Sequence, residues 1–446
     1  MRWFAILSVF LIPQAPALAD ELTPAERGRR ALTTNSYNPP IWSRGTVANA
    51  WRQWGVAEKP ADYDAAFRER YGLHPAPYPN NGLPMGLRES SALLFKGVSV
   101  DCLVCHGGSI MGESYVGLGN ASLDVHALFE ELSSTQAGSH VPLPFTFTRT
   151  RGTSEAGGMA VYLLGYRNPD MSLREKHKKL GLHDDMCEDP PPWWLLKKKR
   201  TMYHTGGSDA RSVRSIMQFM MAPTNGPKAF AEAEDDFRDI LAFIKSIEPP
   251  EYPLTVDREL AAKGKGVFAA NCQSCHGTYG DNPTYPNRIV PLDVIGTDRT
   301  RFDGISPAFG EEYNRGWFAQ EETGWFLDGH RSRVARGYQA PPLDGVWASA
   351  PYLHNGSVPT LYHLLKSDTR PTVYTRSFRT GKEDYDPVKV GWRFREVEAI
   401  DPKKPAVERR KVYDTREPGR GNGGHEFGDD LTEAERMAVI EYLKTL

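Results

Sequence analysis

Two stretches of the chain place apolar residues at the spacing of a helix face. The first stretch stops at Pro249-Pro250, and its apolar members are Phe237, Ile240, Leu241, Ile244 and Ile247. Because an α-helix has about 3.6 residues per turn, side chains three or four positions apart share one face. Proline cannot continue a helix, so the pattern predicts a helix that ends before Pro249.

The second stretch, Leu431–Leu443, lies at the end of the chain. Its apolar stripe consists of Met437, Ile440 and Leu443. Asp430, with Glu433 three residues later, is the predicted cap at the amino end of this helix. A shorter helix is predicted over Leu260–Phe268, directly ahead of a cysteine-containing segment. Both halves of the chain are therefore expected to close on a helix.

These helices divide the chain into two halves of similar plan. The predicted domains are residues 20–248 and 249–446, joined around Glu248 to Pro253. The region before each closing helix is long, and 41 glycines and 34 prolines favour short helices joined by long loops. We therefore expect a mainly α fold with long loop insertions.

The composition is that of a globular protein with room for two cores. Of the 446 residues, 40% are hydrophobic, and the formal net charge is −2. Because this charge is close to zero, it gives no reason to expect binding to nucleic acid or to an anionic membrane surface. No nucleic-acid partner is predicted.

Residues 1–19 have the pattern of a cleavable signal peptide. Met1-Arg2 precedes an apolar core, Trp3–Ile12, and a small-residue cleavage site follows at Ala17-Leu18-Ala19. Cleavage after Ala19 would leave Asp20 as the first mature residue. The apolar core is too short for a membrane anchor, and no later segment approaches an uninterrupted run of about eighteen apolar residues. We therefore expect a periplasmic or secreted protein without stable membrane insertion.

The pentapeptide Cys-x-x-Cys-His occurs twice, and it is the attachment signature of a c-type haem. The two copies supply Cys102, Cys105 and His106 in the first half and Cys272, Cys275 and His276 in the second. The spacing lets two thiols reach the two vinyl groups of one porphyrin, while the adjacent imidazole binds the iron. The sequence predicts two covalently bound haems c, with His106 and His276 as iron ligands.

The alternative for these four cysteines is a pair of zinc sites or a pair of disulfides. Zinc sites normally place their histidines several residues from the cysteines, and a disulfide has no use for an adjacent imidazole. A fifth cysteine, Cys187, is left over. It is predicted to be a partly buried, inert thiol, with an intermolecular bridge or an iron-ligand role as the alternatives.

The sixth iron ligand of the second haem is predicted to be a histidine. No methionine lies between the second motif and Met437, which belongs to the closing helix. The local candidates are His330, His354, His363 and His425. His425 is favoured because its glycine-rich loop can approach a porphyrin closely, although a surface role stays open. Two imidazole ligands would suit a haem that stores or relays electrons.

The first haem has too many candidate sixth ligands for spacing to decide among them, and an open sixth position is equally possible. The candidates are Met111, Met159, Met171, Met186, Met202, Met217, Met220, Met221, His126, His140, His177, His183 and His204.

Three segments carry a family resemblance. They are Ala350–Leu361, which reads APYLHNGSVPTL, Pro190–Trp194, which reads PPPWW, and the glycine-rich loop of His425. Together with two haem motifs, they resemble the bacterial dihaem cytochrome c peroxidase superfamily, closest to the branch of the latex-cleaving rubber oxygenases. The two closing helices resemble the last helix of class I cytochrome c domains.

This resemblance implies a division of labour between two class I cytochrome c-like domains, each with one covalent haem. The first haem, with His106 as its proximal ligand, would meet peroxide or dioxygen. The second would be six-coordinate through His276 and His425, and Trp194 or Trp193 would assist electron exchange between the two haems. For the Trp pair, simple core packing is the competing interpretation.

The expected function is a dihaem oxidoreductase that activates peroxide or dioxygen. Its remaining partners would be an unknown reductant or organic substrate, with a small redox protein as a further possibility. The alternatives are a noncatalytic dihaem electron carrier and, more weakly, a haem-based sensor or assembly component.

Several polar residues are assigned structural rather than chemical roles. Glu155 and Gln218 are candidates for acid or base groups near the first haem, with exposed or capping roles favoured. The basic run Lys197–Arg200 is expected to be a solvated face. His354 is expected to support a haem edge rather than to bind iron.

Overall fold

The computed structural model describes residues 22–92, 95–183, 185–320 and 337–446. The predicted signal peptide and the candidate ligand His330 lie outside the described residues. About 38% of the chain is helical and 13% is strand. The prediction of a mainly α protein is therefore confirmed at this coarse level.

Sixteen α-helices lie in the described ranges. In chain order, α1 to α16 are Pro24–Thr34, Arg44–Asn49, Tyr63–Tyr71, Leu103–His106, Val125–Ala137, Ala156–Leu164, Val213–Ile216, Pro227–Ser246, Arg258–Asn271, Gln273–His276, Leu292–Ile295, Thr300–Asp303, Pro307–Arg315, Leu361–Leu364, Ala406–Arg409 and Glu433–Leu443. Short 3₁₀ turns lie between them, at Ala50–Gln53, Trp193–Lys197, Met217–Met220, Trp317–Ala319, Val346–Ala348, Ser367–Thr369 and Lys382–Asp384.

Short antiparallel strands fill the long connections. The strands β1 to β13 are Leu87–Ala92, Phe95–Val100, Gly107–Ile110, Glu113–Val116, Thr201–Met202, Ser208–Asp209, Ile289–Pro291, Gly337–Gln339, Val373–Thr375, Tyr385–Asp386, Gly391–Trp392, Arg395–Glu396 and Val412–Asp414. They form five two-stranded ribbons and one three-stranded sheet of order β12-β9-β13 among the described residues. No ribbon is large enough to provide a core, so the helices organise the fold.

Each half is closed by a pair of crossing helices, α1 with α8 and α9 with α16. The crossing point is a glycine in both pairs. A Cβ atom on Gly28 would lie 1.9 Å from the carbonyl oxygen of Asp239, and one on Gly264 would lie 1.8 Å from that of Ala438. These distances are below van der Waals contact, so only glycine lets the two backbones approach this closely.

The predicted helices are present, with one correction at a cap. The apolar face of α8 is buried as expected, and α8 ends at Ser246, ahead of the two prolines. Helix α16 begins at Glu433, and its cap is Thr432, which forms a capping box with Glu435. The predicted Asp430 cap is therefore wrong by two residues, because the Thr432 hydroxyl accepts the free backbone N–H of Glu435.

The hydrophobic cores draw on both halves. The core beside α8 includes Phe309, Tyr313 and Phe318 from the second half. The core beside α16 includes Trp194 and Leu195 from the first half. The two halves therefore pack through shared cores, while the domain boundary at residues 248 and 249 stays a prediction.

Within the ranges given above, no helix combines the length and the apolar character needed to cross a bilayer.

Candidate haem-binding sites

The first haem motif lies at helix α4, between the ribbon β1-β2 and the strand β3. The His106 side chain is partly exposed, and its Nδ1 donates to the carbonyl oxygen of Pro191 at 3.2 Å. This bond leaves Nε2 available to a metal. Burial lowers the pKa of His106 to about 4, although the bond to Pro191 opposes this shift. The imidazole is therefore neutral near pH 7, the form that binds iron.

The second motif repeats this arrangement at helix α10. Nδ1 of His276 donates to the carbonyl oxygen of Pro341 at 2.8 Å, and its ring is again partly exposed. Burial lowers the pKa of His276 below its ordinary value. In both halves a proline carbonyl orients the imidazole of the motif, a common partner for a metal-bound histidine.

The cysteines do not form the alternative sites. All five are free, and the four motif cysteines are partly exposed, so their thiols are accessible to a porphyrin. In the part of the chain that the structure describes, no three His, Cys, Asp or Glu side chains cluster as a metal ion requires. The fifth, Cys187, is fully buried, which fits the prediction of an inert thiol.

His425 lies opposite His276. The centres of the two imidazole rings are 6.2 Å apart. Two imidazoles that bind one metal ion through nitrogens at about 2 Å have ring centres roughly 6 Å apart. Nδ1 of His425 is buried without a hydrogen-bond partner, and burial lowers the pKa of this residue to about 4. The pair fits a bis-imidazole iron site, and ligation by His425 stays a prediction.

The glycine-rich loop holds His425 by backbone contacts. Its backbone N–H donates to the carbonyl oxygen of Ile295 at 2.7 Å. Gly424 has φ of +74°, and a Cβ atom there would lie 2.2 Å from the carbonyl carbon of Gly296. Nη1 of Arg370 donates to the carbonyl oxygens of Asn422 and Gly424 at 2.5 and 2.7 Å. Glycine therefore permits the close approach that the sequence pattern predicts.

The other described candidates for the second haem have different partners. His363 is buried, and its Nδ1 is bonded to the Thr360 hydroxyl at 2.6 Å. His354 stacks on Tyr338 with a centroid distance of 4.1 Å, and its buried Nε2 has no partner. Neither ring pairs with His276 among the described residues.

The first site has no comparable imidazole pair. In the described ranges, the only aromatic ring paired with His106 is that of Trp193, with centroids 5.0 Å apart and planes 28° apart. The candidate methionines are buried in the cores except Met159, which is partly buried. His140 and His183 are exposed. Among the described residues, none of these candidates pairs with the His106 ring, so the sixth ligand of this site stays undecided between them and an open position.

The Trp pair connects the two halves. Trp193 stacks on His106, as described above, and its backbone N–H donates to the carbonyl oxygen of Gly117 at 2.7 Å. Trp194 is 1% exposed, and its indole N–H donates to the carbonyl oxygen of Asp344 at 2.8 Å. Asp344 lies three residues after Pro341, which holds His276. The pair thus packs against residues of both halves and connects them. Its part in electron exchange stays a prediction.

The exposed roles predicted for Glu155 and Gln218 are wrong, although Glu155 does occupy the N-cap position of α6. Glu155 is fully buried, and its carboxylate accepts the backbone N–H groups of Met186 and Cys187. Burial raises its pKa to about 8. It caps no helix with its side chain. Gln218 is partly buried and donates to the hydroxyl of Tyr203 at 2.6 Å.

The basic run is not a solvated face. Lys197 forms an ion pair with Glu248, and Lys198 forms one with Asp344 at 2.6 Å. Lys199 is partly buried, and burial lowers its pKa to about 8. Of the run, only Arg200 is exposed. The error arises because the charges pair with residues distant in the sequence.

Comparisons with known proteins agree with the resemblance. The family model described as RoxA-like, cytochrome c-like matches residues 337–375. Two curated proteins of Sinorhizobium fredii (strain NBRC 101917 / NGR234), both named as uncharacterized, match part of the chain. The protein y4iM is 33% identical and covers 46% of this chain and 52% of its own length. The protein y4iJ is 29% identical and covers 45% of this chain and 41% of its own length.

The chain thus spans about half the length of the curated relatives it matches. A solved structure described as a MauG-like protein associated with microbial copper homeostasis aligns with 69% of this chain and 94% of its own. Its sequence identity is 17% and its TM-score is 0.32, a likeness that adds nothing to the assignment. The match of residues 337–375 to the RoxA-like, cytochrome c-like family agrees with the resemblance seen in the sequence, to the RoxA-like branch of the dihaem cytochrome c peroxidase superfamily.

Proposed function

We propose that this protein is an exported dihaem oxidoreductase that activates peroxide or dioxygen at the first haem, with the second haem as an electron relay. A haem-dependent redox role follows from the cytochrome c-like family match. The finer proposal rests on one observation: His276 faces a second imidazole at 6.2 Å, whereas the ring paired with His106 in the described residues is an indole. Among the described residues no second imidazole pairs with His106, and we propose that the first site keeps its sixth position open to an exogenous ligand.

When bound, haem supplies an iron that changes oxidation state and takes up a small oxygen ligand. Each motif would anchor and orient its haem in the same way. Cys102 and Cys105 would anchor the first porphyrin, and His106 would present Nε2 to its iron while the Pro191 carbonyl fixes the ring. Pro341 and His276 have the same roles at the second site, with His425 as the sixth ligand.

The Trp pair supports exchange between the sites. Trp193 touches the imidazole of the first motif, and Trp194 bonds to the backbone three residues from the carbonyl that holds the second. A large aromatic pair in this place gives continuous contact from one half to the other. We propose that it carries electrons from the second haem to the first.

The experiment is a reaction of the fully haem-loaded protein with hydrogen peroxide, and separately with dioxygen, in the presence of a colourless one-electron donor dye. We expect oxidation of the dye that depends on the oxidant. Trp194→Phe should slow it because the indole N–H bond to Asp344 is lost. Trp51→Phe, the same substitution at a partly exposed tryptophan outside the site, is the control and should react like the wild type.

A fully loaded protein that oxidises no donor with either oxidant, and whose spectrum neither oxidant changes, would contradict the proposal. The protein would then be the noncatalytic electron carrier.

A further inference from the structure

His204 lies between the two segments that hold the histidines of the haem motifs. Its Nε2 donates to the carbonyl oxygen of Asp189 at 3.0 Å. Its own carbonyl oxygen accepts the backbone N–H of Gln339 at 2.7 Å. Asp189 is two residues before Pro191, and Gln339 is two residues before Pro341. One residue therefore joins the supports of both imidazoles through two hydrogen bonds.

A second set of contacts extends these two bonds into a closed network of five residues: His204, Asp189, His354, Tyr338 and Gln339. The backbone N–H of Asp189 donates to the carbonyl oxygen of His354 at 2.9 Å. The His354 ring stacks on Tyr338 at 4.1 Å, and its centre is 6.2 Å from that of His204. Tyr338 precedes Gln339 in the strand β8. The network thus contains residues from both halves of the chain.

Three of the five residues in this network are buried, and the other two, His204 and Asp189, are partly buried. Tyr338, Gln339 and His354 are 6%, 7% and 8% exposed. Buried hydrogen bonds are electrostatically stronger than exposed ones, and bonds in a chain polarise one another. A change in charge at one end of such a chain is therefore felt at the other.

The backbone before His204 is strained. Tyr203 has φ of +68°, a conformation that a bulky side chain rarely adopts. It is held in place by Gln218, which donates to its hydroxyl at 2.6 Å, and by Gly206, whose N–H donates to its carbonyl oxygen at 3.1 Å. Strain maintained in this way is characteristic of functional positions.

We propose that His204 is a positioning residue that couples the redox states of the two haem sites. The hydrogen bond from Nδ1 of a metal-bound histidine tunes the basicity of the ligand and the potential of the metal. A change of oxidation state at one site alters the bond to Pro191 or Pro341. His204 would pass that change to the other carbonyl support, while the electron itself moves through the Trp pair. No proton is transferred, because every donor in the network keeps its hydrogen.

This inference rests on the proposed function in that both haems are bound. It is independent of the reaction with peroxide or dioxygen, because it needs no exogenous ligand.

The test delivers single electrons to the oxidised, fully loaded protein by pulse radiolysis and follows their equilibration between the haems, by absorbance or by freeze-quench electron paramagnetic resonance. His204→Phe keeps an aromatic ring of similar size and removes the donor to Asp189. We expect equilibration to slow by roughly tenfold, the effect of losing about one net hydrogen bond from the barrier. His204→Gln keeps an N–H donor and should restore most of the rate.

Trp51→Phe, at a partly exposed residue outside these contacts, is the control and should equilibrate like the wild type. If His204→Phe does not load both haems, His204→Met replaces it as the variant without a donor. The inference would be overturned if the variant without a donor binds both haems and still equilibrates at the wild-type rate. A slower rate in Trp194→Phe in the same experiment would make that result decisive. A protein that ignores peroxide and dioxygen but whose equilibration depends on His204 would refute the proposed function alone.

Discussion

The two halves of this protein hold a haem motif in the same way and surround it differently. Each half crosses two helices at a glycine, Gly28 or Gly264, and each fixes the motif histidine by a proline carbonyl. The difference lies in the ring beside that histidine, which is the indole of Trp193 in the first half and the imidazole of His425 in the second.

This difference separates the task of the helices from the task of the loops. The helix pairs close the fold of each half in the same way. The ring beside each motif is contributed by an irregular segment, the Pro-Pro-Trp-Trp turn in one half and the glycine-rich loop in the other. We therefore propose that loops carried on a repeated scaffold decide the reactivity of each site.

The largest predicted effect is the loss of one haem from either half. Cys272→Ala with Cys275→Ala should leave one covalent haem per chain, attached at the first site, because both thioether bonds of the second are removed. Cys102→Ala with Cys105→Ala should leave only the second haem and abolish the reaction with peroxide. Haem content by pyridine haemochrome and intact mass checks both variants. Two covalent haems in either variant would contradict the assignment.

The second prediction is that removal of the His425 side chain makes the second site resemble the first. His425→Gly should replace a low-spin iron signal by a high-spin one, because the sixth ligand is removed. Electron paramagnetic resonance of the oxidised protein measures this change. His354→Gly is the matched comparison and should leave the low-spin signal intact. The reverse pattern would identify His354 as the ligand.

The sequence predicts the attachment residues and singles out His425, and the roles of both stay predictions. The haem motifs are local patterns with one dominant chemical meaning, and the glycines around His425 permit the approach to Gly296 that the structure has. The closing helices followed from periodicity, because their apolar faces are local as well.

The sequence was not sufficient where partners are distant along the chain. Glu155 takes its donors from Met186 and Cys187, and Lys198 pairs with Asp344, so their burial has no local signal. The link from Asp189 through His204 to Gln339 joins three remote segments. Nothing in composition or spacing indicates that these segments meet.

The third prediction tests the repeated helix crossing. Gly264→Ala should lower the free energy of unfolding by about 2–3 kcal/mol, because its Cβ would overlap the Ala438 carbonyl. Gly28→Ala should behave alike against Asp239. Gly266→Ala, on the same helix as Gly264 with nothing within 4 Å, should instead stabilise the protein by up to about 1 kcal/mol. Denaturant unfolding of the loaded protein measures all three, and equal effects at Gly264 and Gly266 would contradict the close crossing.

The fourth prediction concerns the pH dependence of stability that comes from one residue of the first half. Burial raises the pKa of Glu155 to about 8 from an ordinary value of 4.5, so the folded chain keeps a proton that the unfolded chain releases. The stability from this group is fully present below pH 4.5 and is lost as the pH rises through about 8. Glu155→Gln should therefore flatten the fall in melting temperature between pH 5 and pH 8. An unchanged slope would show that Glu155 is ionised in the folded protein.

The most direct test of the difference between the halves is the number of carbon monoxide molecules bound by the fully reduced, fully loaded protein. The two sites predict one per chain, taken up by the haem at His106, because His276 and His425 close the other. His425→Gly should raise the number to two. A wild-type value of zero or two would contradict the division between an open first site and a closed second site.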